Sequence, residues 1–167
     1  MSNKIINKVS DAGLITIDIN SFCVGGERKE LNLIDWLDDE LIIREKSFRQ
    51  KLDSFPWETM NNAFVAVFCS KDVILPPWSY LLIQAKLHNI AKQVFFCNPE
   101  SLNLLLFQQS LNNLDIKKYT NKRVFLKGCG GGDVPLAAVS LCVHRLMPHV
   151  KSLFYGEPCS NVPLIKN

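Results

Sequence analysis

The sequence predicts a three-layer α/β fold, with a mainly parallel sheet, helices on both faces and an N-terminal antiparallel β addition. From about residue 62, short apolar runs alternate with segments typical of helices, which indicates right-handed crossovers between parallel strands. The first run, residues 63–68, has no polar side chain, as is typical of a strand covered on both faces. The chain has 167 residues, 47% of them hydrophobic, enough for one core and too few for two typical domains. We therefore expect a single domain over residues 1–167.

The N-terminal part of the chain differs from the rest, and we expect it to form a β-hairpin and a helix added to the main domain. Residues 14–19 alternate in a β-like, branched composition, and a pair of glycines separates them from a second short run at 29–33. Residues 45–52 have the mixed charges of an exposed helix that ends at the following proline. The predicted addition covers residues 1–60, and the strand–helix units cover residues 61–167.

The later elements follow from their apolar runs and from the residues that begin and end them. Proline is favoured in the first turn of a helix, and three helices are predicted to begin at or beside a proline. Asn98 can cap the second of these helices, because its side chain can accept a hydrogen bond from the first turn. The predicted elements are strands at 63–68, 94–96, 124–126 and 150–154, and helices at 77–88, 99–111 and 133–146.

Composition and charge exclude several classes of protein. The formal net charge is +3 and the basic residues form no cluster interleaved with aromatics, so nucleic-acid binding is not expected as the main role. The N-terminus lacks the apolar stretch of a signal peptide, and no segment has the length of a membrane-spanning helix. We therefore expect a cytoplasmic protein, in which thiols stay reduced. Its six cysteines are then packing residues, metal ligands or reactive thiols rather than disulfides.

Three cysteines fall where a parallel sheet presents its carboxyl edge. Cys69 and Cys129 each follow a predicted strand, and Cys159 lies just past the last one. Ligands of open α/β sheets bind at this edge, so three thiols distant in sequence could meet in one site. Thiolates suit zinc and iron–sulfur clusters, and three protein ligands leave one position open for water, substrate or Asp72. The sequence therefore predicts a metal site formed by Cys69, Cys129 and Cys159.

The other cysteines fit this site less well. Cys142 shares a helix with core-type residues, Cys23 lies in a loop of the N-terminal region, and Cys97 occupies the same sheet edge as a reserve ligand. No Cys-x-x-Cys pair exists, which excludes a zinc ribbon and a thioredoxin-type motif. His144 and His149 lie near the far end of the last predicted helix, away from the proposed site, so a Cys–His catalytic pair is not expected.

A glycine-rich stretch at residues 127–133 has the composition of a phosphate-binding loop, because glycines let backbone N–H groups approach an anion. It lacks the Lys-Ser/Thr ending of a P-loop and the spacing of the dinucleotide fingerprint. Asp133 would also repel an anion. A flexible turn that gives Cys129 room is the better interpretation.

Five segments carry a family resemblance that extends over almost the whole chain. They are residues 13–18 (GLITID), 69–72 (CSKD), 76–80 (PPWSY), 127–129 (KGC) and, most specifically, 155–164 (YGEPCSNVPL). Together they resemble the bacterial family catalogued as domain of unknown function 2480. The resemblance carries no established activity. It implies a small cytosolic bacterial protein with iron–sulfur cluster assembly proteins as its partners.

These observations support one leading hypothesis and two alternatives. The leading hypothesis is a metal-binding accessory protein that carries, senses or helps to assemble a zinc or iron–sulfur centre held by Cys69, Cys129 and Cys159. The first alternative is a thiol-dependent enzyme with Cys129 or Cys159 as nucleophile. The second is a protein-interaction module whose cysteines are buried structural residues.

Overall fold

The computed structural model describes residues 14–128 and 134–166, which divide into two compact units. The central unit is Gly25–Asn103, and the terminal unit combines Met1–Val24 with Leu104–Asn167. Strands and helices follow one another along the described residues. In chain order they are β1 (Leu14–Asp18), β2 (Arg28–Asn32), α1 (Glu45–Ser54), β3 (Phe64–Phe68), α2 (Pro77–Leu87), β4 (Gln93–Phe96), α3 (Pro99–Asn112), β5 (Arg123–Lys127), α4 (Leu136–Leu146), β6 (Ser152–Glu157) and β7 (Ser160–Lys166).

The central unit contains a parallel sheet with the strand order β2-β3-β4. The middle strand, β3, is buried over all but its last residue, as its uninterrupted apolar sequence predicts. Helices α1 and α2 bury their apolar residues against this sheet, so that strand and helix residues form one core. Fully or almost fully buried members of that core are Leu33, Phe48, Leu52, Val65, Val67, Ile83 and Leu87.

Aromatic side chains fill one part of the central core. The Trp36 ring lies 5.1 Å from Phe48, 5.6 Å from Phe55 and 6.0 Å from Trp57, measured between ring centroids. The Trp57 indole Nε1–H donates a 2.7 Å hydrogen bond to the carbonyl oxygen of Leu52, so this buried polar group has a partner. Aromatic packing therefore joins α1 to the two short 3-10 turns on either side of it.

The terminal unit contains a sheet with the strand order β1-β5-β6-β7. The first three strands are parallel, and β7 pairs antiparallel with β6. One face of this sheet packs on apolar residues of α3 and α4, because alternate strand residues point to that face. The buried core comprises Ile17, Ile19, Phe22, Phe107, Leu111, Val124, Leu126, Ala138, Cys142, Leu146, Val150 and Leu153.

The α/β class and the mostly parallel pairing are confirmed, whereas the predicted N-terminal hairpin is wrong. β1 pairs in parallel with β5, and β2 pairs in parallel with β3, each in a different sheet. The segment after β1 explains why no tight turn forms. The Asp18 carboxylate accepts a 2.9 Å hydrogen bond from the Asn20 N–H and opens a 3-10 turn, Ile19–Phe22. Ile19 and Phe22 are buried in the core of the terminal unit, so this turn packs on that core and does not form a hairpin turn.

The predicted strands from residue 63 onward are present, but they divide between two sheets. β3 and β4 belong to the central sheet, and β5 and β6 belong to the terminal sheet. Apolar runs indicate that a strand is buried, not which strand lies beside it. β7 was not predicted, because its alternation is interrupted by Pro163. In the part of the chain that is described, no helix combines the length and the apolar character needed to cross a membrane.

Candidate functional site

The carboxyl edge of the central sheet opens into a cleft. Its three strands run in the same direction, so the residues that follow β3 and β4 come to one edge, where parallel sheets bind ligands. The cleft has a volume of about 840 Å³ and includes the segments after both strands, together with part of α2 and the start of α3. The lining residues whose side chains could bind a ligand or react are Glu30, Cys69, Asp72, Tyr80, Cys97 and Glu100.

Two thiols line this cleft, and neighbouring strands position them. Cys69 is the first residue after β3, and Cys97 is the first residue after β4. β3 and β4 pair with Val67 opposite Phe96, so Cys69 and Cys97 leave neighbouring strands one residue apart in register. Both side chains are half-buried. The structure therefore brings together one predicted ligand, Cys69, and the reserve ligand, Cys97, in a single cleft.

A side-chain amide holds the loop that follows Cys69. The Asn32 Oδ1 atom accepts hydrogen bonds from the backbone N–H of Ser70 and of Ile34, each at 3.1 Å. Its Nδ2 atom donates to the Ser70 hydroxyl at 2.9 Å. Asn32 ends β2, so this amide connects the carboxyl ends of β2 and β3 and restrains the backbone next to the Cys69 thiol.

Burial favours the neutral forms of two titratable groups in the cleft, Cys97 and Tyr80. It raises the pKa of the Cys97 thiol, because burial penalises the thiolate. Burial also raises the pKa of the Tyr80 phenol, and Coulomb repulsion between the phenolate and an ionised Cys69 sulfur adds to the shift. The Tyr80 ring contacts the Phe96 ring at 5.0 Å. Tyr80 therefore lies within electrostatic range of Cys69 and against the end of the strand that precedes Cys97.

The charged groups of the cleft are mostly acidic. Glu30, Asp72 and Glu100 line it, and the lysine among its lining residues is Lys71. The Lys71 ammonium forms an ion pair with Glu40 at 3.1 Å, so part of its charge is balanced by a carboxylate that does not line the cleft. Carboxylates around a thiol-lined cleft favour a bound cation over a bound anion.

Of the other two predicted ligands, Cys159 is not among the residues that line this cleft, and the position of Cys129 is not described. Cys159 belongs to the terminal unit, where it is exposed in the turn between β6 and β7. Cys129 lies outside the described residues, as does most of the glycine-rich stretch. Within residues 14–128 and 134–166, no group of three or more His, Cys, Asp or Glu side chains is arranged to hold a metal ion. The three-cysteine site stays a prediction.

Cys97 shares the signal that singled out Cys69, since each directly follows a strand. From the sequence it is predicted as the reserve ligand, because it directly precedes Asn98, the predicted cap of a helix. The division into two sheets makes Cys97 the neighbour of Cys69. None of the residues that line the cleft is a histidine.

Cys142 is a core residue, as predicted. Its side chain is 0% exposed on the inner face of α4, and burial raises the pKa of its thiol to about 11. Cys23, by contrast, is exposed, just after the 3-10 turn Ile19–Phe22.

We expect the Cys142 thiol to make stability fall at alkaline pH. Between the ordinary thiol pKa of 9.0 and the value of about 11 in the folded protein, the unfolded chain loses a proton that the folded chain keeps. Unfolding is therefore favoured as the pH rises through this window, and the effect is absent below pH 9. The test compares denaturant unfolding of the natural protein and Cys142→Ala from pH 8 to 10.5. The natural protein should lose more stability across this range, and parallel pH profiles would contradict the assignment.

The comparisons with known proteins identify a family without an activity. A family model described as "Protein of unknown function (DUF2480)" matches residues 3–167. No curated protein and no solved structure matches the chain.

Proposed function

This chain belongs to the DUF2480 family of proteins of unknown function, and from its cleft we propose that it is a metal-binding accessory protein. Its cysteine thiolates would hold a zinc ion or an iron–sulfur cluster. One observation carries the proposal: Cys69 and Cys97 follow adjacent strands and line the same cleft. Two soft sulfur donors in one cleft match the preference of zinc and iron–sulfur clusters for thiolates.

The chemistry of the cleft supports a metal that binds with release of protons. Burial raises the pKa of the Cys97 thiol, so a cation that binds its thiolate has to displace the proton. The carboxylates of Glu30, Asp72 and Glu100 supply the negative potential that attracts a cation. Metal affinity should therefore rise with pH over the range in which the thiols ionise.

Two thiolates make half of a tetrahedral site. The other positions would be taken by water, substrate or further thiols, and Cys129 and Cys159 stay candidates for that role. An open coordination position is typical of metal sites that catalyse a reaction or pass on the metal, whereas structural sites are fully coordinated by protein ligands. We therefore propose that the protein carries, senses or helps to assemble a metal centre, with iron–sulfur assembly proteins as partners. The cytoplasm, where thiols stay reduced, is the proposed location.

Zinc titration of cysteine variants tests the proposal. The metal-free protein, prepared under anaerobic conditions, is titrated with Zn²⁺ against a chromophoric chelator, and the protein as purified is analysed for iron and zinc. We expect one zinc ion per chain. Cys69→Ser and Cys97→Ser should each weaken zinc binding by more than about 100-fold, because loss of an outer-shell partner alone costs up to that much. Cys23→Ser, which removes an exposed thiol elsewhere, should leave the affinity unchanged.

The same series separates the alternatives. If Cys129→Ser and Cys159→Ser abolish zinc binding and Cys97→Ser does not, the ligands are Cys69, Cys129 and Cys159 rather than Cys69 and Cys97. Protein that is fully folded and has no affinity for zinc or iron refutes the metal proposal. In that case the two alternatives differ in thiol reactivity. If the protein is a thiol-dependent enzyme, one thiol should react with iodoacetamide much faster than the others. If it is a protein-interaction module, no thiol should stand out in this way.

A further inference from the structure

A second cavity lies in the terminal unit, on the face of its sheet opposite the core. Its volume is about 410 Å³, within the range of small-molecule sites. Val124, Leu126 and Leu153 point into the core. Because side chains alternate along a strand, the residues between and beside them point to the other face. The cavity is lined by residues of that face together with Lys151, which directly precedes β6.

The register of the sheet arranges these residues in two rows. Leu14, Arg123, Ser152 and Lys166 lie opposite one another across the four strands. The next row on the same face includes Phe125 and Phe154, which pair across β5 and β6. A polar and basic row therefore lies beside an aromatic row within one small cavity.

The cavity concentrates positive charge. Arg123, Lys151 and Lys166 line it, and none of its lining residues is acidic. Across the described residues, none of these three side chains forms an ion pair with a carboxylate. Glu157, which is also on β6, pairs with Lys127 at 2.9 Å. Three like charges around one cavity repel one another, and a bound anion would relieve that repulsion.

The aromatic row supplies apolar surface to the cavity. The Phe125 and Phe154 rings are stacked, with centroids 4.7 Å apart and planes within 14° of parallel. Phe125 is buried and Phe154 is half-buried, so Phe154 retains apolar surface that a planar group can contact. The basic row and the aromatic row together favour a ligand with an anionic end and a planar end.

We propose that this cavity binds a small organic phosphate that carries a planar ring. The Arg123 guanidinium can engage a phosphate through two parallel N–H donors, and Lys151 and Lys166 act as point charges. The ring would lie on the Phe154 side of the aromatic row. The inference is independent of the proposed metal function, because it uses neither the thiols nor the central unit.

Calorimetric titration with adenosine 5′-monophosphate tests the inference, with adenosine and inorganic phosphate as partial ligands. The intact nucleotide should bind at least about tenfold more tightly than either part, because each part uses one row only. Arg123→Gln and Lys166→Gln should each weaken nucleotide binding by about tenfold, the usual effect of losing one charged hydrogen bond. Phe154→Ala should weaken binding of the nucleotide and leave inorganic phosphate unaffected.

Lys118→Gln is the matched control, since Lys118 is an exposed lysine of the same unit that does not line the cavity. It should leave the affinity unchanged, and thermal unfolding verifies that each variant is folded. Absence of nucleotide binding at millimolar concentration overturns the proposal. So does an equal loss in Lys118→Gln, which would indicate general charge attraction. If inorganic phosphate binds as tightly as the nucleotide and Phe154→Ala leaves nucleotide binding unchanged, the proposal that the ligand carries a planar ring is wrong.

Discussion

Replacing Phe48 with alanine is expected to lower the free energy of unfolding by about 3–5 kcal/mol, the usual cost of truncating a buried aromatic. The Phe48 side chain is 0% exposed, and its ring contacts Trp36 at 5.1 Å and Trp78 at 5.5 Å. Truncation would remove both contacts and leave a cavity between α1 and α2. Such a loss is a large part of the stability of a typical domain, about 5–15 kcal/mol.

Guanidinium unfolding followed by tryptophan fluorescence measures this loss, because all three tryptophans of the chain lie in the central unit. Phe48→Leu should cost less than about 1.5 kcal/mol, since it preserves most of the buried volume. Gln50→Ala, an exposed change on the same helix, should stay within about 0.5 kcal/mol. A loss in Phe48→Ala no larger than that of Gln50→Ala would contradict the packing of α1.

Replacing Gly156 with alanine is expected to destabilise the protein by about 2–3 kcal/mol through backbone strain and steric clash. Gly156 has a φ of +115°, a conformation that residues with a Cβ rarely adopt. An added Cβ would lie 2.5 Å from the Ser160 carbonyl oxygen and 3.1 Å from the Asn161 Cα. Both atoms belong to the backbone of β7, so they cannot move aside without disturbing its pairing with β6.

Gly25→Ala provides the matched control. Gly25 has open space where its Cβ would be built and no positive φ, so alanine should change stability by less than about 0.5 kcal/mol or stabilise slightly. Thermal unfolding followed by far-UV circular dichroism compares the two variants with the natural protein. Equal melting temperatures for Gly156→Ala and Gly25→Ala would show that the end of β6 tolerates a side chain at this position.

Much of the fold could be predicted because it depends on local pattern. The apolar run of β3 indicated a buried strand, and prolines located the first turns of α2 and α3 within a residue or two. The N-terminal strands show where local pattern fails. Both β1 and β2 were recognised as strands, yet a glycine pair between them suggested a hairpin that does not form. Their true partners are distant in sequence, and short-range turn signals carry no information about them.

The sequence could predict that cysteines lie at a sheet edge, but only partly which cysteines line the same cleft. A cysteine directly after a buried strand indicates a thiol at a sheet edge, and Cys69 and Cys97 both satisfy that rule. Which thiols share a cleft depends on which strands are neighbours. Cys69 joins Cys97 because β3 pairs with β4, whereas Cys159 follows a strand of the other sheet. The cavity around Arg123 gave no sequence signal, since its basic and aromatic residues are scattered over four strands.

Local sequence was enough to establish the α/β class, the family resemblance and the placement of thiols after strands, because each depends on nearby residues. Strand pairing, the division into two sheets and the meeting of Cys69 with Cys97 depended on tertiary structure. The physical reason is that hydrogen bonding between strands is made by backbone groups that every residue carries. Side-chain packing over long separations selects the partner, and it also decides which reactive groups face one another.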